Sequence, residues 1–331
     1  MRPGILKILL LLIAVALLGC GGDGDSDATG EKGSRPATFE AALRDARAVK
    51  AGDFPKPAGK SLREIAGEAP AVNLGLGTSV YTAGPNRLAF GVIDERRSFV
   101  YGKTAIYLAR GPDDEAKGPF PAPADPLVVD PAFRSRTGAE ESDAIAAIYE
   151  TDVDLPETGD WAVLAITKAG GKTYAAGTNL KVTKSSPIPA AGERAPQVET
   201  ETRASAGGDL EQIETRVPPD DMHEKSFADV VGRKPVALLF ATPALCESRV
   251  CGPVVDIAAQ LQKRYGERME FIHQEVYVDN DLKKGLRPPL RAFNLRTEPW
   301  LFTINSAGRV AARLEGSFGK KAFERAIEAA L

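Results

Sequence analysis

Histidine is nearly missing from this sequence, with two residues in 331, and cysteine is scarce, with three. Three cysteines leave room for one intrachain pair, so the fold must rest on apolar cores and not on a disulfide framework. Neither sign of charge dominates: 42 basic residues stand against 45 acidic ones, a net charge of -3. That balance excludes the strongly basic surface that nucleic-acid binding requires. Long apolar runs are also missing. The longest, Ile8 to Leu18, is cut off by the Gly-rich, acidic GCGGDGDSD and falls short of the ~20 apolar residues that a hydrocarbon core needs. A permanent membrane-spanning helix is therefore not expected. What remains is 43% hydrophobic and 26% charged, the composition of a globular protein. Its length exceeds what one core usually holds, so two domains are the expectation.

The N-terminus has a pattern of its own. Arg2 and Lys7 precede the apolar run, and Gly19 and Cys20 close it, the arrangement of a secretory signal peptide. Leu17-Leu18-Gly19-Cys20 resembles the bacterial lipobox. The resemblance implies that the Cys20 sulfur takes a diacylglycerol and that residues 1–19 are removed. It also implies an extracytoplasmic protein held on the outer face of a membrane. Two or more acyl chains make such an anchor durable. With Cys20 consumed, Cys246 and Cys251 remain as one pair in a compartment where disulfides persist.

Past the leader, composition divides the chain. Residues 20–58, rich in Gly, Asp, Ala and Lys with one short helical stretch at Phe39 to Val49, read as a lipidated tether. From 59 to 184, short alternating segments separated by Gly, Pro and Asn predict an all-β sandwich: Val72–Tyr81, Arg87–Asp94, Thr104–Arg110, Ala144–Val153, Trp161–Thr167 and Tyr174–Val182. The turn Leu155-Pro156-Glu-Thr-Gly159-Asp160-Trp161 leading into a strand resembles an immunoglobulin-type domain. Residues 111–126, GPDDEAKGPFPAPADP, are expected as an exposed loop. Residues 185–214, with Pro, Ala, Glu and Thr and few large apolar side chains, read as a linker.

From 215 to 331 the elements alternate. A short helix at Phe227–Val231 precedes a buried strand at Pro235–Ala241, a helix at Cys251–Tyr265 and a strand at Glu270–Val278. A helical piece near Leu290–Asn294, strands Trp300–Ile304 and Arg309–Leu314 around the turn Asn305–Gly308, and a helix Lys320–Leu331 follow. This order predicts a helix-flanked α/β sheet with one parallel crossover and a final hairpin.

Strand, two-cysteine turn, helix, strand, helix, X-Pro, hairpin and helix is the order of a thioredoxin-like domain, which residues 215–331 resemble. The resemblance implies that Pro299 is cis and lies beside Cys246. The family places two residues between its cysteines, and Cys246-Glu-Ser-Arg-Val-Cys251 has four. Val254, Ile257, Ala258, Leu261 and Tyr265 form an apolar helix face. Counting back from it puts Cys251 at the family's more buried position and leaves Cys246 outermost, as the attacking thiol. Arg249 and the helix N-terminus favour a thiolate there. Pro253 suits the first turn, which needs no N–H at that point. Five residues apart in a regular helix, the two Cα atoms would stand roughly 8 to 9 Å from each other, beyond disulfide reach. If the pair bridges, Cys246 must lie in a non-helical turn and the helix must start near Cys251.

Three functions fit such a pair. The first is thiol–disulfide exchange with exported proteins, with Cys246 as nucleophile, Cys251 as resolving thiol and Pro299 shaping the surface. The second is a structural disulfide in a non-catalytic binding or scaffold lipoprotein. The third is copper handling by soft thiolates, although no histidine follows Pro299, where copper proteins of this fold carry one. His273 reads as a hydrogen-bonded sheet residue and His223 as an exposed loop residue. No cofactor and no metal ligand is expected. The strand Val236–Phe240 lacks the buried acid that many thioredoxins carry, and Glu298 is either its partial replacement or a solvated loop residue.

Overall fold

Alternating inward and outward side chains build the first half of the fold. The structure is a computed structural model that describes residues 37–136, 145–246 and 249–331; Cys20 and the rest of the leader lie outside the described residues. Nine strands form here: β1 (Ala71–Leu76), β2 (Tyr81–Thr82), β3 (Gly84–Ile93), β4 (Lys103–Ala109), β5 (Lys117–Pro121), β6 (Ala124–Pro126), β7 (Ala147–Leu155), β8 (Gly159–Ala169) and β9 (Lys172–Thr183). They make one sheet in the order β5-β4-β8-β9-β1-β3-β7-β6, with β2 also paired to β9. Laid flat, that path would be about 34 Å wide at the usual strand spacing. Only Ala122 and Pro123 separate β5 from β6 in the chain, a reach of about 10 Å. The sheet must therefore roll over on itself. Leu88, Phe90 and Tyr149 from one half meet Ile106, Leu108, Trp161 and Val163 from the other in one core. Where two separate sheets are expected, the parallel pairing of β1 with β9, from Ala71 opposite Ala175 to Asn73 opposite Gly177, joins the halves into one.

Residues 111–126 are not the exposed loop the composition predicts, because they contain β5 and β6, and Ala122 and Ala124 are buried. Proline lacks an N–H and is confined to strands with one unpaired side. Pro119, Pro121 and Pro126 satisfy that rule because β5 and β6 are the two edges of the sheet. Residues 37–58 belong to the same body. In α1 (Ala37–Arg47), Leu43 and Ala46 enter the core, and Phe54 is buried under the ammonium of Lys168. The next helix, α2 (Leu62–Ala66), starts with a reciprocal cap between Ser61 and Glu64.

The second sheet has the order β11-β10-β12-β13, from β10 (Val236–Phe240), β11 (Glu270–Gln274), β12 (Trp300–Ile304) and β13 (Val310–Glu315). β10 is central, parallel to β11 and antiparallel to β12. Both of its faces are covered, so its sequence is apolar without interruption. Ala237 and Leu239 pack with α4 (Cys251–Tyr265) and α6 (Lys320–Ala330). Val236, Leu238 and Phe240 pack on the opposite face with α3 (Phe227–Val230) and α5 (Pro288–Ala292). The parallel crossover and final hairpin match the expected order. β11 ends at Gln274 and not at Val278, because the chain turns away where Glu275 is buried against Thr215. Helices are few, and among the described residues none is long and apolar enough to cross a membrane.

Residues 185–214 lie along the second sheet. Gly192 N–H donates to Val310 C=O, Val310 N–H to Glu193 C=O and Ala195 N–H to Gly308 C=O, while Ile188 and Ala195 join the core. These backbone bonds cover the β13 edge, which composition alone does not reveal. The two sheets are also bound to each other. Asp125, in β6, accepts hydrogen bonds from Lys321 N–H and Ala322 N–H at the start of α6 (3.1 and 2.8 Å). Arg87 pairs with Glu150 at 2.8 Å and reaches the carbonyl of Ser317, and Glu315 accepts from Val80 N–H. Residues 37–331 consequently form one compact unit.

Candidate active site

The chain leaves the C-terminal end of β10 through a tight turn, with Leu245 N–H donating to Thr242 C=O, and further on Arg249 N–H donates to Cys246 C=O. Arg249 adopts a left-handed backbone (φ 58°) that redirects the chain into α4, a conformation that costs a non-glycine residue about 1 kcal/mol. The helix begins at Cys251, and Cys246 lies outside it. The predicted break between the two cysteines is therefore present. Cys246 is half-buried, Cys251 is buried, and both are thiols in this structure. Val250, at the N-cap of α4, has no side chain able to cap the first turn, and the peptide N–H groups of that turn favour negative charge beside the thiols.

Burial pushes the Cys251 thiol well above its ordinary value, and the hydrogen bond and charge of Cys246 push the same way, with Glu298 adding to them. A backbone hydrogen bond from Thr242 only partly offsets these. The consequence is that Cys251 holds its proton more firmly than an ordinary thiol. Pro299 follows a cis peptide bond with Glu298, as the resemblance implies, and its carbonyl accepts from Gly316 N–H at 2.8 Å. Glu298 is thus near enough to act on Cys251 by charge. Together with Val250, Leu76, Ile93, Phe99 and Ile148 it lines a mostly apolar cavity of about 340 Å³.

A second group of side chains lies behind the cysteine turn. His273, in β11, is fully buried; its Nδ1 stands 2.9 Å from Asp220 Oδ2 and its Nε2 3.2 Å from the carbonyl oxygen of Ala241 at the end of β10. The reading of His273 as a hydrogen-bonded sheet residue is correct. The reading of His223 as exposed is overturned, since it is 1% exposed and packs against His273 with 5.3 Å between ring centroids. Met222 beside it is buried in the core around α4 and draws the histidine inward. His223 Nε2 lies 3.4 Å from Glu214 Oε2 and 3.5 Å from Asp220 Oδ1. Among the described residues, Glu214, Asp220, His223 and His273 form a metal-competent set, with ligand atoms all within 4.8 Å of one another.

Burial alone would push the His273 ring down, but Asp220 and Glu214 raise it well above its ordinary value. Glu214 moves the other way: burial works to raise it, and the neighbouring imidazoles of His223 and His273 hold it far below the usual carboxylate range. A buried acid stands just past the end of β11. Glu275 is fully buried, accepts from Thr215 N–H at 2.8 Å, and is pushed up by burial. Thr215 also binds the cysteine turn, its Oγ1 accepting from Ala244 N–H at 3.0 Å. One sequence signal could have pointed here: both histidines of the chain, with Glu214 and Asp220 within ten residues of His223.

No family model matches the chain, and no curated protein matches it. Among solved structures it is similar to a protein of Chlorobium tepidum assigned as the thiol:disulfide interchange protein DsbE, at 18% identity and TM-score 0.32, over 43% of this chain and 98% of that one. A thioredoxin-family thiol:disulfide interchange protein from Chlorobium tepidum TLS gives 19% identity and TM-score 0.30 over 42% and 95%. DsbF of MTB gives 15% identity and TM-score 0.29 over 41% and 96%.

Proposed function

We propose that this chain carries out thiol–disulfide exchange with exported proteins through Cys246 and Cys251, from a C-terminal thioredoxin-like domain joined to an N-terminal immunoglobulin-like β domain. The observation that carries the reading is the asymmetry of the pair: a half-buried Cys246 in a turn at the end of the central strand, and a buried, proton-holding Cys251 at the start of α4.

The Cys246 thiolate attacks one sulfur of a partner disulfide, forming a Cys246–partner bond and expelling the partner's other sulfur as a thiolate. Cys251 then gives up its proton and attacks Cys246 Sγ. The intramolecular disulfide forms, and the partner leaves as a dithiol. The reverse sequence oxidises a partner. Pro299 and the apolar cavity beside Glu298 and Val250 supply the surface on which an extended partner segment lies. Lipidation at Cys20 would hold this unit on the extracytoplasmic face of a membrane, where its partners carry disulfides.

Trapping tests the reading. A Cys251→Ser variant cannot resolve the first intermediate, so it accumulates mixed disulfides through Cys246 that dithiothreitol releases. A Cys246→Ser variant accumulates none. Equal trapping by the two variants would overturn the assignment of roles.

A further inference from the structure

Glu214, Asp220, His223 and His273 bring two carboxylates and two imidazoles into a space closed to solvent, with exposures of 3%, 6%, 1% and 0%. The carboxylates are fixed by backbone N–H groups. Asp220 N–H donates to both oxygens of Glu214 (3.0 and 2.9 Å), and Met222 N–H donates to Asp220 Oδ1 at 2.8 Å. His223 is different: neither of its ring nitrogens has a hydrogen-bond partner, although the residue is almost completely buried. A buried polar group left without a partner is unfavourable.

We infer that Glu214, Asp220, His223 and His273 form a closed, four-ligand site for a divalent zinc-type cation. The dimensions fit. Bonds of about 2.0–2.1 Å in a tetrahedron place neighbouring ligand atoms about 3.3 Å apart. One ligand atom from each of the four residues lies within 4.8 Å of the others, and each histidine nitrogen stands 2.9 to 3.7 Å from an oxygen of each acid, Asp220 and Glu214 each turning one oxygen to His273 and the other to His223. His273 shows the outer bond of a metal-bound imidazole, with Nε2 against a backbone carbonyl and Nδ1 facing inward. A cation at the centre takes up the idle Nε2 of His223 and neutralises the two acids. The donor set is selective. Calcium and magnesium take oxygen ligands and higher coordination numbers, and copper(I) prefers the thiolates that this site lacks. Bound there, the ion ties the 214–223 segment to β11 and, through the Ala241 carbonyl and Thr215, steadies the turn that carries Cys246. The site stands apart from the exchange reaction and does not depend on it.

The test is metal content of the full chain purified in detergent, by mass spectrometry of the metal, followed by exchange with cobalt(II). One zinc per chain is expected. The ion is retained in a Cys246→Ser/Cys251→Ser double variant, and His223→Ala weakens zinc binding at least about 100-fold. Cobalt gives tetrahedral bands without a thiolate-to-metal charge-transfer band. A wild-type chain that takes up no stoichiometric zinc, or loss of the ion in the double cysteine variant, overturns the site. If His223→Ala does not fold, the wild-type cobalt spectrum decides: a thiolate band or an octahedral spectrum contradicts the assignment.

Discussion

Oxidising the Cys246–Cys251 pair should stabilise the fold by no more than about 2 kcal/mol. The bond closes a loop of only six residues, from the turn after β10 to the first residue of α4, and chain entropy gives about 2 kcal/mol for a loop of that length. The N-terminus of α4 lowers the difference further, because helix N–H groups favour a thiolate beside them and so stabilise the reduced form. Folding and oxidation are linked, so 2 kcal/mol also bounds the effect of folding on the reduction potential at about 45 mV. Urea unfolding of the oxidised and reduced protein measures the difference. The chain has two tryptophans, Trp161 in the rolled sheet and Trp300 in β12. A Trp161→Phe background therefore leaves a single fluorescence reporter in the sheet that carries the cysteines. An oxidised form more stable by over about 4 kcal/mol would refute the argument and make the pair a structural clip.

Asp125→Ala removes the side chain that accepts from Lys321 N–H and Ala322 N–H. Loss of a cap typically costs about 1–2 kcal/mol, and denaturant titration checks it; a change under about 0.3 kcal/mol would show that α6 needs no help from β6. Glu150 predicts a pH dependence. Burial works to raise its carboxyl, but the guanidiniums of Arg87 and Arg325 hold it below its ordinary value. A folded-state value below the unfolded one, about 4.3, contributes stability that is complete above that pH and is lost as pH falls through the folded value. Glu150→Gln should flatten the acid limb of a melting-temperature profile between pH 6 and 3, and parallel wild-type and variant profiles would contradict the assignment.

The second sheet was largely legible because its signals are local. Val236-Ala-Leu-Leu-Phe240 is apolar throughout, as a strand covered on both faces must be, and Val254, Ile257, Ala258 and Leu261 mark the helix face. Chain geometry required a break between Cys246 and Cys251 for the pair to bridge. The less legible parts depend on tertiary position. Four prolines in 119–126 argue against strands until the strands are known to be sheet edges. Residues 185–214 offer few apolar side chains, yet they dock by backbone hydrogen bonds to β13. His223, isolated and polar in sequence, is buried because Met222 and Glu214 bring it beneath β11. That cluster shows no regular ligand spacing, since His273 lies fifty residues beyond His223.

The reduction potential of the Cys246–Cys251 pair, read by alkylating and weighing the protein across a glutathione series, tests the central claim most directly. Exchange activity predicts a value above about -230 mV. A value below about -300 mV would place the pair among inert structural bridges and contradict the claim.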